Sequence, residues 1–537
     1  MKKIIILLSV ILVLAGSVIF NSCKKSILEI TDPDITESDY FKTEDDFFRG
    51  IIGAYAKITD LYWFNNNAAL HGSWLLPGDD ITVGVNGGHD SNYGFDQFVQ
   101  ITPSTGAVND IWRTLYQIIN RATIVMIKCD EADPGIFTDP AKKDQIKGEA
   151  LFLRSWCYYK LWNTWGTAPL ITTRIADFNS IKTPNSKETE LLDQAITDLT
   201  EAATLLPESW PAANIGRVFK GSAYGLLGKC LVFRACWNKK SDAGKATQDY
   251  TDAIAAFNKI TTRILVPNFG DNFDATKENN QESLFEFQAS SQAGFENIWL
   301  ANDFNQAIGA MDNYLGYYTQ QWQWWGQCPY VPSKKLVAAF DPGDPRITET
   351  FVDTASVDFT GGDKANYNGY QWMKYIRHDI QGGFNTSMNN PRILRYADVL
   401  LLKAEALLKS GGSKSEAIGL INQIRARARS AGAVPADLST SETNEATIMQ
   451  WIMDERLREL CGDDDHRWFD LKRWHYAGYI DLSTWNGGDG VNGFSCSRPA
   501  NEFKFQTFFT ATEGKLWYPI PSNEINSNNL CLQNPGY

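Results

Sequence analysis

Two short apolar stripes in the last third of the chain limit what it can fold into. Tyr396, Leu400, Ala404 and Leu407 recur at steps of four, four and three. Ala417, Ile421, Ile424 and Ala428 recur at four, three and four. Such spacing puts each set on one face of a helix. Between them, Ser410-Gly411-Gly412-Ser413 stops one helix and starts the next. The small Ala residues on both stripes allow close approach, so the segment reads as an antiparallel helix pair of the tetratricopeptide kind, with looser spacing than the repeat consensus. A pair of this sort buries its stripe only against neighbours, so further pairs are required.

The rest of the chain supplies them. Thr43, followed by Glu44, Asp45 and Asp46, caps a helix that runs to about Tyr62. A helix near residues 109–127, carrying Trp112, Tyr116, Ile119 and Ala122, makes a plausible partner for it. Residues 142–165, with Ala150, Leu153, Cys157 and Leu161 on one stripe, are answered by 189–206, and 217–237 by 246–260. The expected class is mostly α, with stacked tetratricopeptide-like helix pairs over about 45–260 and 391–475. A loop-rich insertion over about 265–390 separates these two blocks. Within it, residues 279–288 have the alternation of a short strand.

A further helix holds Ile452-Met-Asp-Glu-Arg-Leu-Arg-Glu-Leu460, followed by Asp463-Asp-Asp-His-Arg-Trp-Phe-Asp-Leu-Lys-Arg-Trp474. Asp463, Asp464, Asp465 and His466 lack the ligand spacing and terminal Glu of a calcium loop. With Arg456, Glu459, Arg467, Asp470 and Arg473 alongside, they read as a structural ion network rather than a metal site.

The order of these motifs resembles the SusD-like (RagB/SusD) family of outer-membrane lipoproteins: an Ala- and Glu-rich helix, a helix with Asn422-x-Ile-Arg425, then Glu455-Arg-x-x-Glu-Leu460 and Arg467-x-x-Asp-Leu-x-Arg-Trp474. The ending Tyr518-Pro-Ile-Pro-Ser-Asn-Glu-Ile525 and Gln533-Asn-Pro-Gly-Tyr537 is similar too, so the resemblance touches most of the chain. It implies a protein that captures a glycan and passes it to a SusC-like TonB-dependent transporter, without catalysis.

The N-terminus fits that setting. Lys2 and Lys3 precede the apolar run Ile4 to Val13, and Asn21-Ser22-Cys23 follows. This is the form of a secretory signal over residues 1–22. Cys23 at the cut resembles a bacterial lipoprotein site, lipidated at Cys23, with residues 23–44 as tether and 45–537 as one domain. The run is short for a bilayer span. The expected location is the outer membrane, lipid-anchored and surface-facing, although Lys24 and Lys25 replace the acidic run that often accompanies surface export. A formal charge of -13 argues against nucleic acid as a partner. Cys230 and Cys236, six apart on one helix, face different ways and cannot bridge. Most of the cysteines read as small buried apolar residues.

Chemistry concentrates in two places. From Tyr314 to Tyr330 the chain reads Tyr-Leu-Gly-Tyr-Tyr-Thr-Gln-Gln-Trp-Gln-Trp-Trp-Gly-Gln-Cys-Pro-Tyr. A sugar ring has an apolar C–H face that a flat aromatic matches, and a rim of hydroxyls that amides match. Tyr318, Trp322, Trp324 and Trp325 are therefore candidate ligand residues. The competing reading is a buried helix stripe of Tyr314, Tyr318, Trp322 and Trp325. That stripe leaves out Trp324, which makes Trp324 the strongest candidate. The second place is the loop-rich stretch 65–106, where Asp79, Asp80 and Tyr93 lie among glycines; the competing reading is a solvated loop. No zinc-protease helix, Gly-x-Ser-x-Gly elbow or phosphate loop is present, and no cofactor is expected. Two other classes stay open: a helical-repeat assembly protein with no ligand of its own, and a polysaccharide hydrolase, which needs only two carboxylates.

Overall fold

The structure is a computed structural model that describes residues 40–62, 64–65, 68–70, 72–83, 93–98, 101–174, 182–289, 330–353, 370–374, 389–485 and 516–537. The helix α1 (Glu44–Ala56) opens on a reciprocal capping box between Thr43 and Asp46, with three acids in its first turn. It is followed by α2 (Gly106–Glu131) and α3 (Pro140–Trp165), the latter started by the Asp139 carboxylate and by Pro140 at its first position. Then come α4 (Glu190–Leu205), α5 (Lys220–Asn238) and α6 (Ala243–Phe257). After the insertion follow α7 (Tyr396–Lys409), α8 (Lys414–Arg429), α9 (Glu445–Leu460) and α10 (His466–Ala477).

The pairs α1/α2, α3/α4, α5/α6 and α7/α8 stack in chain order, with α2 on α3, α4 on α5 and α6 on α7. The last of these contacts closes over the whole insertion, so the second block of helices continues the first. The protein is mostly α-helical, as the stripes predict. The helix α3 exceeds its single predicted stripe: every residue from Gly148 to Trp165 is buried. A helix covered all round is a central rod rather than a surface layer. Gly166 ends it in the left-handed region (φ 72°), and an added Cβ would lie 2.7 Å from the Trp517 ring. The chain end clasps the same terminus: Trp165 Nε1 donates to Pro519 O (2.9 Å), and Asn534 Nδ2 donates to Trp165 O and Tyr518 O (2.9 and 2.7 Å).

The predicted strand at 279–288 forms as Ser283–Glu286, antiparallel to Arg392–Arg395. All four of its residues are buried, not alternate ones: Leu284 lies against Gly221 and Gly225 of α5, while the Phe285 ring meets Phe152 and Trp156 of α3. Six cysteines among the described residues, including Cys230 and Cys236, are buried and unpaired.

The charged run on α9 and α10 forms an ion network inside the protein. Arg395 reaches Glu282, Glu459 and Asp463; Arg346 reaches Asp344, Glu455 and Glu459; Arg427 shares Glu282 and Glu459. Lys160 of α3 holds Asp464 and Asp465, and Lys229 of α5 holds Asp398. Arg473 pairs with Glu405 and Asp470. Each charge would be costly to bury alone; here each meets an opposite one.

Candidate functional site

Three stretches of the long loops are tied to the helical body at one place. The strand Ile81–Val83 pairs antiparallel with Tyr330–Pro332, with Thr82 opposite Val331 and Val83 opposite Tyr330. Tyr330 is the last residue of the aromatic run, and Val83 immediately precedes the polar stretch 84–92 of the sequence. The two candidate regions of the sequence, far apart in the chain, thus join the protein at neighbouring positions of one ribbon. The loop returns at the short helix Tyr93–Gln97, where Asp96 Oδ2 accepts from Thr82 Oγ1 (3.1 Å) and Phe95 meets the Tyr518 ring (5.2 Å).

Asp79 fastens this ribbon. Its carbonyl accepts from Ser333 Oγ (2.6 Å), and Ser333 in turn caps the short helix Lys334–Ala339. Its carboxylate takes Arg467 of α10 at both oxygens, Lys335 (2.5 Å) and Trp485 Nε1 (2.8 Å). Lys335 also lies over the Trp485 ring at 4.2 Å. Trp485 is the last described residue before the stretch 486–515. The insertion is closed at its base as well: Ala289 N donates to Asn390 Oδ1 (2.7 Å) and Phe287 N to Pro391 O (3.1 Å).

In this geometry the carboxyls of Asp79 and Asp80, expected as ligand groups, lie inside the protein. They are 0 % and 2 % exposed. Burial opposes the charge on Asp79, but Arg467 and Lys335 overcome it and hold its carboxyl well below the ordinary range. Among the described residues, Asp80 has no such cation at hydrogen-bonding distance. Burial, then the charge on Asp79, push it up to about 6. Its Oδ2 accepts from Gly462 N (3.1 Å), while Oδ1 is buried without a hydrogen-bond partner. Asp79 fastens Ser333, Lys335, Arg467 and Trp485 together, and Asp80 holds the turn at Gly462. A Gly-Asp-Asp turn reads as a polar loop because its main partner, Arg467, is 388 positions away. Tyr93 starts the short helix at the loop's return, while Tyr318, Trp322, Trp324 and Trp325 lie outside the described residues, as does Cys23.

A hollow of about 490 Å³ lies elsewhere, between α2, residues 169–171 and the C-terminal helix Ser522–Ser527. Its two rings serve the fold: Tyr116 donates its hydroxyl to Pro169 O (2.7 Å), and Trp112 is buried against Trp165 at 5.0 Å. The ribbon, where the loops converge, is the better candidate.

Comparison with known proteins agrees with this architecture. Residues 272–537 match the profile of the SusD family, and residues 44–231 match a profile described as starch-binding associating with outer membrane. The chain belongs to the SusD family. A SusD-like protein P2 of Formosa agariphila is 26% identical over 526 residues, covering 94% of each chain. A SusD-like protein of Bacteroides ovatus is 24% identical, covering 87% of this chain and 82% of its own. Among solved structures, a laminarin binding SusD-like protein aligns with TM-score 0.68 at 23% identity, over 93% of this chain and all of that one. The surface glycan-binding protein A of Bacteroides fluxus aligns with TM-score 0.69 at 20% identity, over 92% and 100%. At these identities the structural matches establish the fold, and the site must be argued from this chain's residues.

Proposed function

We propose that this SusD-family protein is a non-catalytic, lipid-anchored glycan-binding protein of the outer membrane that hands an oligosaccharide to a SusC-like TonB-dependent transporter. The observation that carries the reading is the ribbon. It roots the aromatic run and the polar loop side by side on a body stiffened by helix stacking and buried ion pairs. Binding groups on loops work best when a rigid scaffold fixes their roots. Trp325 is five residues from Tyr330, so chain length alone keeps it within about 18 Å of the ribbon. Trp322, Trp324, Trp325 and Tyr318 would stack on sugar C–H faces, with Tyr93 at the neighbouring loop's return. Asp79 and Asp80 would hold the roots in place. The family description and the two glycan-binding neighbours support the ligand class.

The test is a glycan-panel binding measurement on the purified protein and its Trp322→Ala and Trp324→Ala variants. Binding is expected with at least one glycan, and at least one variant should lose about 1–3 kcal/mol of affinity with its thermal unfolding unchanged. Full affinity in both variants would remove the aromatic run from the site. Release of reducing ends during incubation would point instead to a hydrolase. The anchor has its own check: Cys23→Ala should move the protein out of the membrane fraction, and retention there would refute lipidation at Cys23.

A further inference from the structure

A second hollow, of about 200 Å³, lies beside the start of α5, between residues 209–219 and the strand Ser283–Glu286. Two of its guanidiniums rest on aromatic rings: Arg217 over Trp210 at 4.0 Å, and Arg263 over Phe219 at 4.0 Å. Their charges are handled differently. Arg217 forks onto Glu149, a fully buried carboxylate. Arg263 meets only carbonyls among the described residues: Nε donates to Ser283 O (2.7 Å) and Nη1 to Thr262 O (3.0 Å). It is partly buried, burial lowers its pKa, and among the described residues no carboxylate pairs with it; Glu286, which lines the same hollow, is paired with Arg392. Withdrawing a guanidinium from water without a counter-charge is unfavourable. The deeply buried Arg346, Arg395, Arg456 and Arg473 all sit on carboxylates.

We infer that this pocket is a subsite for the acidic group of a saccharide, with Arg263 as its anchor. The inference rests on the glycan-binding reading above and narrows the ligand class. The planar fork of Arg263 keeps Nη2 uncommitted among the described residues, and that edge suits the oxygens of a carboxylate or a sulfate ester. The surroundings suit a sugar ring carrying such a group better than a free anion. Ile215 lines the pocket and Ile264 neighbours Arg263, and they are 58 % and 59 % exposed, offering apolar surface to C–H faces. Trp210 adds a flat wall. Asn279 lines the hollow and bonds reciprocally to the Gln288 amide (2.8 and 3.0 Å). Gly216 (φ 95°) lets the Gln288 amide come so close that an added Cβ would lie 2.6 Å from it.

The test uses the full-length, detergent-extracted protein. Calorimetric titration with oligogalacturonate and a sulfated galactan oligosaccharide is compared with their carboxyl-reduced and desulfated counterparts, with inorganic sulfate and with a glutamate-rich peptide. At least one acidic sugar should bind about tenfold or more tightly than its neutral counterpart, a difference of about 1.4 kcal/mol. Arg263→Met should abolish that difference and leave the neutral affinity unchanged, while Arg263→Lys, which keeps the charge but loses the fork, should retain part of it. Equal thermal unfolding of the variants checks that the fold is intact. An acidic preference that survives in Arg263→Met overturns the assignment, and so does sulfate or the peptide binding as tightly as the acidic sugar. If neutral sugars bind through Trp322 and Trp324 with no acidic preference, the Arg263 subsite falls alone. If no saccharide binds, both readings fall.

Discussion

Replacing Arg395 by methionine is expected to cost on the order of 3–5 kcal/mol of stability, the usual loss when one member of a buried ionic cluster is removed. Arg395 is 1 % exposed and ends the strand that returns the chain from the insertion into α7. Its Nε and Nη2 donate to Asp463 Oδ2 (2.9 and 2.6 Å), and Nη1 donates to Glu282 (2.7 Å) and Glu459 (3.0 Å). Nη2 also reaches the Glu459 carbonyl at 2.9 Å. One side chain therefore joins the insertion's first strand, the end of α9 and the turn before α10. Methionine fills much of the volume but leaves Glu282, Glu459 and Asp463 to Arg427, Arg346 and Lys374, with one buried cation fewer for three buried carboxylates. The comparison is Arg49→Ala on α1, whose exposed pair with Asp45 should change stability by no more than about 0.5 kcal/mol. Chemical denaturation of both variants reads the contrast. A loss below about 1 kcal/mol for Arg395→Met would mean that the network adds little to the native state.

Much of the helical frame was legible because stripes such as Tyr396–Leu400–Ala404–Leu407 carry their period locally. The ion network was half legible. The run from Asp463 to Arg473 places acids and bases together, and they do pair with buried opposite charges. Lys160, Lys229, Glu282 and Arg346 were invisible, because each comes from a distant helix or loop and nothing local marks it as buried. The same limit explains Asp79 and Asp80. Glycine and aspartate side by side signal a turn, and whether that turn faces water depends on Arg467 and Ser333 arriving from elsewhere. The ribbon between residues 81–83 and 330–332 is likewise a long-range pairing of two three-residue strands, too short for alternation to register. Arg263 gave no sequence signal, since what sets it apart is that no carboxylate among the described residues pairs with it.

Asp80→Asn is expected to show a stability change that depends on pH, with a sign opposite to that of the cation-held acids Asp79, Asp398 and Glu455. Asp79 and Asp80 are adjacent buried acids, and only Asp79 has cations on its oxygens, so Asp79 keeps the charge and Asp80 retains the proton to higher pH. Its carboxyl is raised from the ordinary 3.8 to about 6 by burial and then by Asp79. An acid that binds its proton more tightly folded than unfolded adds stability below its unfolded pKa. That contribution fades as pH rises through about 4 and is gone above about 6, a swing of about 3 kcal/mol. Asparagine does not titrate, and its side-chain oxygen can still accept from Gly462 N. Relative to the parent, Asp80→Asn should therefore gain about 2 kcal/mol between pH 4 and pH 8, read by denaturation at both ends. The carboxylates held low by cations, such as Asp79, Asp398 and Glu455, act the other way. Their stabilisation is present at neutral pH and is lost as acid protonates them. They are common to both proteins and cancel in the difference. An equal effect of Asp80→Asn at the two pH values would show that Asp80 is ionised throughout, and that a counter-charge reaches Oδ1. With Asp80 neutral at mildly acid pH, the ribbon's root loses a like-charge repulsion, so glycan affinity should hold or rise from pH 8 to pH 5.5 in the parent and stay flat in Asp80→Asn.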